Sequence, residues 1–357
     1  QLKITKVIPL YKSGEINEAS NYRPISVLPF FSKIFERVMC NRLQSYFDQF
    51  SFFTNSQFGF RKNHSSYICF CCIQGFPMLL TATNLLLVYF LICQRHLTQL
   101  IMPFYLKNLN IMVLRWFANY LHNRKQQIYF QGVWSSVETI SCGVPQGSIL
   151  GPILFLIYIN YLCTISNLLQ FILFADDKNI FLAGDNIFDL SVILNNKVSK
   201  LSDWFSHNRL SLNLKKTNYI IFYSQRKNVF NAPDIFINDI CINRVSHCKL
   251  LGVYLDEHLS WSLHINHITN KISKNIGIIK RIRLFITKSV TNMLYYSLIY
   301  PYLSYCNIVW GATYPTQLNR LYLLQKRVAR TILKLPLLSH VETRFNEIGM
   351  LNIYQIN

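Results

Sequence analysis

The sequence predicts an α+β fold with a helical C-terminal part. The chain has 357 residues, of which 51% are hydrophobic and 15% aromatic, a composition typical of packed globular proteins rather than disordered ones. Strand-like and helix-like patterns alternate up to Asp256, whereas the remainder is mostly helical and basic. Mixed elements in this order favour a sheet-based core followed by helices, and the length allows two or three subdomains.

The charge balance indicates a polyanionic partner. The chain carries 36 Lys and Arg against 16 Asp and Glu, a formal net charge of +20, and such an excess on a folded chain is typical of nucleic-acid-binding proteins. The ten cysteines show no paired CxxC spacing with a His partner, which argues against a zinc site and favours reduced, intracellular thiols. Because the first residue is Gln1, we expect the sequence to be a fragment of a longer protein.

The N-terminal region predicts a strand, a helix and a polar loop in that order. Residues 3–10 alternate between polar and apolar side chains, as a strand does. Apolar residues then recur at helical spacing from Phe31 to Phe47, which predicts an amphipathic helix. The following stretch QFGFRKNHSS, residues 57–66, is a glycine-containing polar loop that bears Arg61.

The middle of the chain predicts a glycine-punctuated loop and a β-hairpin. Residues 134–152, WSSVETISCGVPQGSILGP, predict a strand, a loop and the start of an apolar helix. Residues 168–184, LLQFILFADDKNIFLAG, predict a hairpin whose tip carries Asp176 and Asp177. An amphipathic helix, another strand and a small β element at 236–256 follow.

Two apolar runs raise the alternative of a membrane protein. Residues 78–93 are nearly uncharged but about 16 residues long, at the short limit for crossing a bilayer. Residues 151–174 form a longer run, but it includes Asn160, Asn167 and Gln170. We therefore expect no stable membrane association and interpret the second run as a buried helix of the core.

The ordered motifs resemble those of one enzyme family. The sequence contains IPLYKSG (8–14), NYRPISVLP (21–29), GVPQGSILGP (143–152), FADD (174–177) and LNLKKT (212–217). Together they resemble the reverse transcriptase domain of non-LTR retrotransposons, close to jockey-type and CR1-type elements. The resemblance covers nearly the whole chain and implies a right-hand polymerase fold with an antiparallel palm sheet. It also implies RNA-directed DNA synthesis.

The resemblance implies a division into fingers, palm and thumb. The expected ranges are 1–75 for the fingers, 76–112 for a disrupted palm segment, 113–235 for the palm, and 236–357 for a primer-grip-like hairpin and a truncated helical thumb. The hairpin is CKLLGVYLD, residues 248–256. The basic helices that follow it would hold the backbone of a duplex through salt-dependent contacts.

The resemblance also assigns the catalytic groups. Nucleotidyl transfer uses two divalent ions about 3.5–4 Å apart, which carboxylates hold. Asp176 and Asp177 would bind these ions, Mg²⁺ or Mn²⁺, with Asp176 favoured as the direct ligand, and the charge of the metals would offset the repulsion between the two aspartates. Lys216 matches a family lysine that supports or protonates the leaving pyrophosphate. A solvated turn and a surface lysine are the alternatives.

Nucleotide and template contacts are expected from the loop and the fingers. Arg23 matches a fingers arginine that contacts the triphosphate, where a guanidinium suits phosphate, and Arg61 is expected along the template or the nucleotide. The glycines of the loop permit close approach of a sugar or a base. The loop residues expected at the nucleotide and the templating base are Gly143, Pro145, Gln146, Gly147 and Ser148.

The third carboxylate that such a site requires is missing from the sequence. The family carries it in a strand resembling FxDLSKAFDTVNH, between the GFRKN and GVPQG motifs. Residues 76–112 contain no Asp or Glu, so the two-metal site is incomplete. The departure also predicts that the central palm strand folds differently or does not form.

A shift of reading frame accounts for this loss. Synonymous codons for residues 91–105 can be chosen so that the shifted frame encodes DLSKAFDTVNHAIL, and the agreement extends upstream and downstream over residues 76–112. The lost aspartate then falls across the codons of Leu91 and Ile92. We therefore hypothesise that this segment is translated out of frame between two compensating insertions or deletions. The coding nucleotide sequence tests this directly.

The sequence supports one function with several alternatives. The expected partners are an RNA template, a DNA primer at nicked target DNA, and dNTPs, in an intracellular protein of the nucleus and cytoplasm. An endonuclease domain is expected outside this chain. A catalytically inactive nucleic-acid-binding remnant is the main alternative, and a group II intron-type maturase or a membrane protein are the others.

Overall fold

Two larger sheets, a small hairpin and a group of C-terminal helices make up the chain in the computed structural model. It describes residues 3–73, 85–92, 111–140, 143–227, 229 and 231–356, with the backbone alone for 71–73, 85–92 and 111–114. The predicted segment 76–112 therefore lies outside the described residues except for 85–92 and the start of the helix at Ile111. This mixed architecture confirms the predicted α+β class.

The described strands follow the predicted order. They are β1 (Ile4–Tyr11), β2 (Tyr22–Val27), β3 (Leu85–Ile92), β4 (Lys125–Phe130), β5 (Val133–Trp134), β6 (Glu138–Thr139), β7 (Gln170–Phe174), β8 (Asp177–Gly184), β9 (Asn218–Tyr223), β10 (Ile235–Ile237), β11 (Ile240–Arg244), β12 (His247–Leu250) and β13 (Val253–Asp256).

The described helices include the predicted amphipathic ones. They are α1 (Phe30–Gln49), α2 (Ser66–Ile73), α3 (Ile111–Leu121), α4 (Gly151–Ile159), α5 (Ile187–His207), α6 (Ser262–Ile282), α7 (Lys288–Leu298), α8 (Tyr300–Ser304), α9 (Asn307–Trp310), α10 (Pro315–Ile332) and α11 (Ile353–Ile356).

The first sheet, which we call the fingers sheet, joins distant parts of the chain. Its order is β2-β1-β4-β5, with β6 also paired to β4. Strand β1 is antiparallel to β2 and parallel to β4. The sheet therefore combines the predicted fingers range with strands from the predicted palm range, and the domain boundaries themselves stay a prediction.

The second sheet contains the central strand that the sequence led us to doubt. Its order is β10-β11-β9-β3-β8-β7, so β3 lies in its middle. Strand β3 pairs antiparallel with β8 along all of its eight residues and with β9 along six. The expectation that this strand is lost is therefore wrong for Leu85–Ile92, and the expectation that it folds differently from its relatives stays a prediction. An uninterrupted apolar run satisfies a strand that is covered on both faces.

The apolar run 151–174 is a core element, as predicted. Helix α4 is buried along almost its whole length, and the run ends in β7. Leu154 and Ile157 of α4 belong to the same hydrophobic cluster as Leu194 and Val198 of α5. None of the helices in the described ranges is long and apolar enough to cross a bilayer.

The C-terminal helices form a separate hydrophobic cluster, within which His264 is buried. The cluster includes Ile268, Tyr295, Trp310 and Leu321. His264, on α6, is 3% exposed, and its ring lies 5.5 Å from that of Trp310. Its Nδ1 accepts a hydrogen bond from the Tyr254 amide at 3.4 Å.

The buried histidine predicts a loss of stability in acid. Burial, with smaller contributions from the charges of His267 and Lys249, lowers the pKa of His264 to about 4, whereas an unfolded histidine has a pKa near 6.5. The unfolded state therefore binds the proton more tightly, so stability is complete above about pH 6.5 and falls as the pH approaches 4. We expect a loss of about 2 kcal/mol at pH 5 from this group.

Urea unfolding at pH 7 and pH 5 measures this effect. The variant H264Q cannot titrate in this range, so its unfolding free energy should depend less on pH than that of the wild type by the same amount. An equal pH dependence in both proteins would contradict the assignment.

Candidate active site

The two aspartates lie at the tip of a tight hairpin, as predicted. Strands β7 and β8 are antiparallel, and Phe174 pairs with Asp177, so Ala175 and Asp176 form the turn. Ala175 has a φ of 54°, a left-handed conformation that costs energy for a residue other than glycine. Asp176 is half-buried, whereas Asp177 is exposed.

A buried lysine stabilises this turn through a hydrogen bond to its backbone. Lys178 is 1% exposed, and its Nζ donates a hydrogen bond to the backbone carbonyl of Asp176 at 3.2 Å. The same ammonium lies over the rings of Phe155, at 5.5 Å, and Phe205, at 5.9 Å. Two helices, α4 and α5, thus hold the cation that binds the turn.

Three strand ends meet at the edge of the sheet where the aspartates lie. Ile92, the last residue of β3, pairs with Asp177, and Phe90 pairs with Asn218 at the start of β9. Lys216 is exposed in the turn that precedes β9. The structure therefore brings the hairpin, the β9 turn and the end of β3 to one edge, with the predicted position of the lost aspartate beside Asp177.

The GVPQGS loop packs against the fingers sheet. The Ser26 amide of β2 donates to the Gln146 carbonyl at 2.8 Å. Gly143 and Gly147 have φ values of 91° and 113°, which glycine alone adopts without strain. A Cβ on Gly147 would lie 2.9 Å from the Ser26 carbonyl oxygen. The loop therefore approaches the chain's own backbone at Gly147, and the predicted approach of a sugar or a base to the loop stays a prediction.

The loop and the hairpin line a common pocket. The Ser148 amide donates to the Pro145 carbonyl at 3.0 Å, and the Ser148 Oγ accepts from the Gly151 amide at the start of α4, also at 3.0 Å. Asp176 borders the pocket opposite this loop. The pocket has a volume of about 130 Å³ and is lined by Phe60, Val144, Pro145, Gln146, Gly147, Ser148, Gly151, Pro152, Phe155 and Asp176.

A buried glutamate that the motifs did not single out supports the loop. Glu36 of α1 is 1% exposed. Its two carboxylate oxygens accept hydrogen bonds from the Ile149 amide and the Tyr120 hydroxyl, both at 2.7 Å. Burial and the charge of Glu36 raise the pKa of Tyr120, so its hydroxyl keeps its proton and remains a donor. The helical pattern of α1 places residue 36 on the buried face, which was the available sequence signal.

A second residue that the motifs did not single out is Gly59, in the same loop as Arg61. Residues 56–58 run alongside β7, since the Phe58 amide donates to the Leu173 carbonyl and the Leu173 amide to the Ser56 carbonyl, both at 2.8 Å. A Cβ on Gly59 would lie 2.3 Å from the Ala175 amide nitrogen. Gly59 therefore allows the backbone of the aspartate turn to lie close to residues 57–66, which we call the fingers loop.

The two predicted arginines have different surroundings. Arg23 is exposed on β2. Arg61 donates through Nη1 to the carbonyls of Thr54 at 2.8 Å and Gln57 at 3.3 Å, and partial burial lowers its pKa. Arg61 thus stabilises the loop that holds Gly59, and its predicted contact with template or nucleotide stays a prediction, as does that of Arg23.

The described residues do not include a complete three-ligand metal site. The described ranges contain no group of three His, Cys, Asp or Glu side chains close enough to hold an ion. The hairpin supplies two carboxylates, and the strand position in register with Asp177 is Ile92. Reverse transcriptases generally use divalent metal ions, and Asp176 and Asp177 at the tip of the hairpin are the described carboxylates that would hold one.

Comparison with known proteins identifies a family and relatives that this chain resembles. The reverse transcriptase (RNA-dependent DNA polymerase) family model matches residues 11–255. The chain is 26% identical, over 93% of its length, to a probable RNA-directed DNA polymerase from transposon X-element of Drosophila melanogaster. It is 25% identical, over 94% of its length, to the RNA-directed DNA polymerase from mobile element jockey of the same species. It spans 38% of each of these relatives.

A solved structure supports the right-hand polymerase fold. Apo telomerase from Candida tropicalis aligns with 98% of this chain and 59% of its own, with a TM-score of 0.51 and 12% sequence identity. The ordered motifs, their convergence at one sheet edge and the match over residues 11–255 lead to one conclusion. The chain belongs to the reverse transcriptase (RNA-dependent DNA polymerase) family.

Proposed function

We propose that this chain is the polymerase core of a non-LTR retrotransposon reverse transcriptase that binds template and primer but does not extend the primer. One observation carries the second half of this proposal: an apolar residue, Ile92, is in register with Asp177. Without a carboxylate there, Asp176 and Asp177 would offer an incomplete site to Mg²⁺ or Mn²⁺. An active polymerase is the alternative.

The remaining parts of the site favour retained binding of nucleotide and nucleic acid. Arg23 is an exposed guanidinium on the strand that contacts the GVPQGS loop, and it suits a triphosphate. Lys216 lies at the same sheet edge as the aspartates. By family, the partners would be an RNA template, a DNA primer or nicked target DNA, and dNTPs. The protein would act inside the cell, in the nucleus and cytoplasm.

The C-terminal helices offer a basic surface for the duplex. Helix α6 exposes Lys271, Lys274, Lys280 and Arg281, and α10 exposes Arg320 and Arg327. Lys and Arg side chains that contact phosphates release counterions, so the resulting affinity falls with salt. This surface supports binding that does not depend on catalysis.

A binding assay and an extension assay on the same preparation test the proposal. We expect the wild-type chain to bind a labelled RNA template–DNA primer, with log affinity falling linearly against log salt concentration. We expect no incorporation of dNTPs above background with either Mg²⁺ or Mn²⁺. Incorporation would overturn the proposed loss of catalysis, and an absence of binding would overturn the proposed role altogether.

A further inference from the structure

One face of the fingers sheet combines cations with two aromatic rings, one of which is exposed. The Nζ of Lys6 on β1 lies 3.7 Å from the ring centroid of Tyr129 and 4.8 Å from that of Trp134. The two rings are neighbours, with centroids 4.8 Å apart, and Trp134 is 48% exposed. We call the trio Lys6, Tyr129 and Trp134 the basic–aromatic patch. None of the three residues belongs to the motifs described above.

The charged residues of this sheet are separated by sign between its two faces. Strand residues in register share a face, and alternation along the strands then places Lys6, Arg23 and Lys125 on the same face as the patch. The one carboxylate in these five strands, Glu138, pairs with Gln126 and so lies on the opposite face. The patch face is therefore cationic.

The patch lies in a row that starts at the GVPQGS loop. The Ser26 amide bonds to Gln146, the next residue Val27 pairs with Lys6, and Lys6 pairs with Gln127 on β4. Three strand spacings of about 4.8 Å separate β2 from β5, so Trp134 lies about 14 Å from the strand that contacts the loop, whereas Lys6 is on the strand beside it. A polynucleotide strand that leaves the site across this face would reach it within a few nucleotides.

We propose that the basic–aromatic patch binds the single-stranded part of the template ahead of the site, with Lys6 at a phosphate and Trp134 stacked on a base. This deepens the proposed function and rests on it. Aromatic rings beside cations are the usual means of holding single strands without sequence preference. A duplex shields its bases inside the stack, so the open face of Trp134 favours a single strand as the occupant. A protein partner is an outcome that the test separates.

Fluorescence anisotropy with two labelled template–primers provides the test. One is a blunt duplex, and the other carries a short 5′ single-stranded RNA overhang. We expect the overhang to increase the affinity of the wild-type chain and W134A to reduce that increase about tenfold, as the loss of one stacking contact does. The variant W134F retains a ring and should retain most of the increase.

Two further variants control for charge and for general damage. K6A should reduce the salt slope of overhang binding by about 0.7, the value for one phosphate contact on a single strand. F130A removes an aromatic ring that is 42% exposed but shares the other face with Val133, so it should leave both affinities unchanged.

The possible failures are distinguishable. Equal losses of blunt and overhang binding in W134A would assign the patch to the duplex and overturn the inference, and no loss in either would leave the face to a different partner and overturn it as well. Failure of the wild type to bind either template–primer would overturn the proposed function, whereas unchanged binding of both by W134A would overturn the inference alone.

Discussion

Replacing Ile92 by aspartate is expected to raise both the affinity of the chain for metal ions and its rate of primer extension. Ile92 pairs with Asp177 across the sheet, so I92D places a third carboxylate beside the two on the hairpin. Groups that merely orient metal ligands change metal affinity about 10- to 100-fold, and a direct ligand should do at least as much. We therefore expect Mn²⁺ affinity to rise at least tenfold, measured by electron paramagnetic resonance.

Primer extension provides the second measurement for this variant. Removing one group that stabilises a transition state costs about 100- to 1,000-fold in rate, so its restoration should raise incorporation by a comparable factor above the wild-type background. The metal-binding readout does not depend on catalysis, so a gain in Mn²⁺ affinity without extension would locate the remaining defect elsewhere in the segment 76–112.

Two variants serve as matched controls. I92N has the size of I92D without its charge and should bind Mn²⁺ no better than the wild type. L91D carries the charge one position earlier, where β3 pairs with the buried Lys178 instead of Asp177, and successive strand positions alternate between the faces. Equal Mn²⁺ affinity in I92D and I92N would refute the assignment of residue 92 as the missing position.

The nucleotide sequence bears on the same position independently. The frame-shift hypothesis rests on codon regrouping alone. It places the lost aspartate at the codons of Leu91 and Ile92. The register of β3 with β8 puts Ile92 beside Asp177. If the codons across 76–112 do not regroup into the family motif, the frame-shift hypothesis fails. The register of β3 with β8 would still place Ile92 beside Asp177.

Local sequence patterns predicted the hairpin, the loop and the main helices because each depends on nearby residues. The FADD turn follows from two short apolar runs around two aspartates, and α1 follows from its helical spacing. The expected loss of strand β3 rested on the missing motif. An apolar run needs no motif to occupy the centre of a sheet, so the strand forms without it. Fold and catalytic competence have separate requirements here.

Contacts between distant segments could not be predicted from one sequence. Glu36 supports the loop at Ile149, which is 113 residues away, and no local pattern indicates that pairing. Gly59 was one glycine among 12, and its importance depends on the hairpin that folds against it. The charge of Arg61 suggested a contact with template or nucleotide, whereas the hydrogen bonds of its side chain go to the chain's own carbonyls.

The substitution G59A is expected to displace the aspartate turn. Its Cβ would lie 2.3 Å from the amide nitrogen of Ala175 and 2.9 Å from the carbonyl carbon of Phe174. Both are backbone atoms, so no side-chain rotation relieves the contact. Overpacking of this kind costs about 1–3 kcal/mol, and urea unfolding should show a loss of that size.

The effect on the site should exceed the effect on stability. A displacement of about 1 Å at reacting groups costs on the order of 100-fold in rate, so G59A in the I92D background should lose that much of the restored extension. The matched control is G277A, because Gly277 lies within helix α6 with nothing within 4 Å of its added Cβ, and alanine there should stabilise the helix by up to about 1 kcal/mol. If G59A and G277A extended primers equally well, the fingers loop would not hold the aspartate turn, and the close approach at Gly59 would have no role in the site.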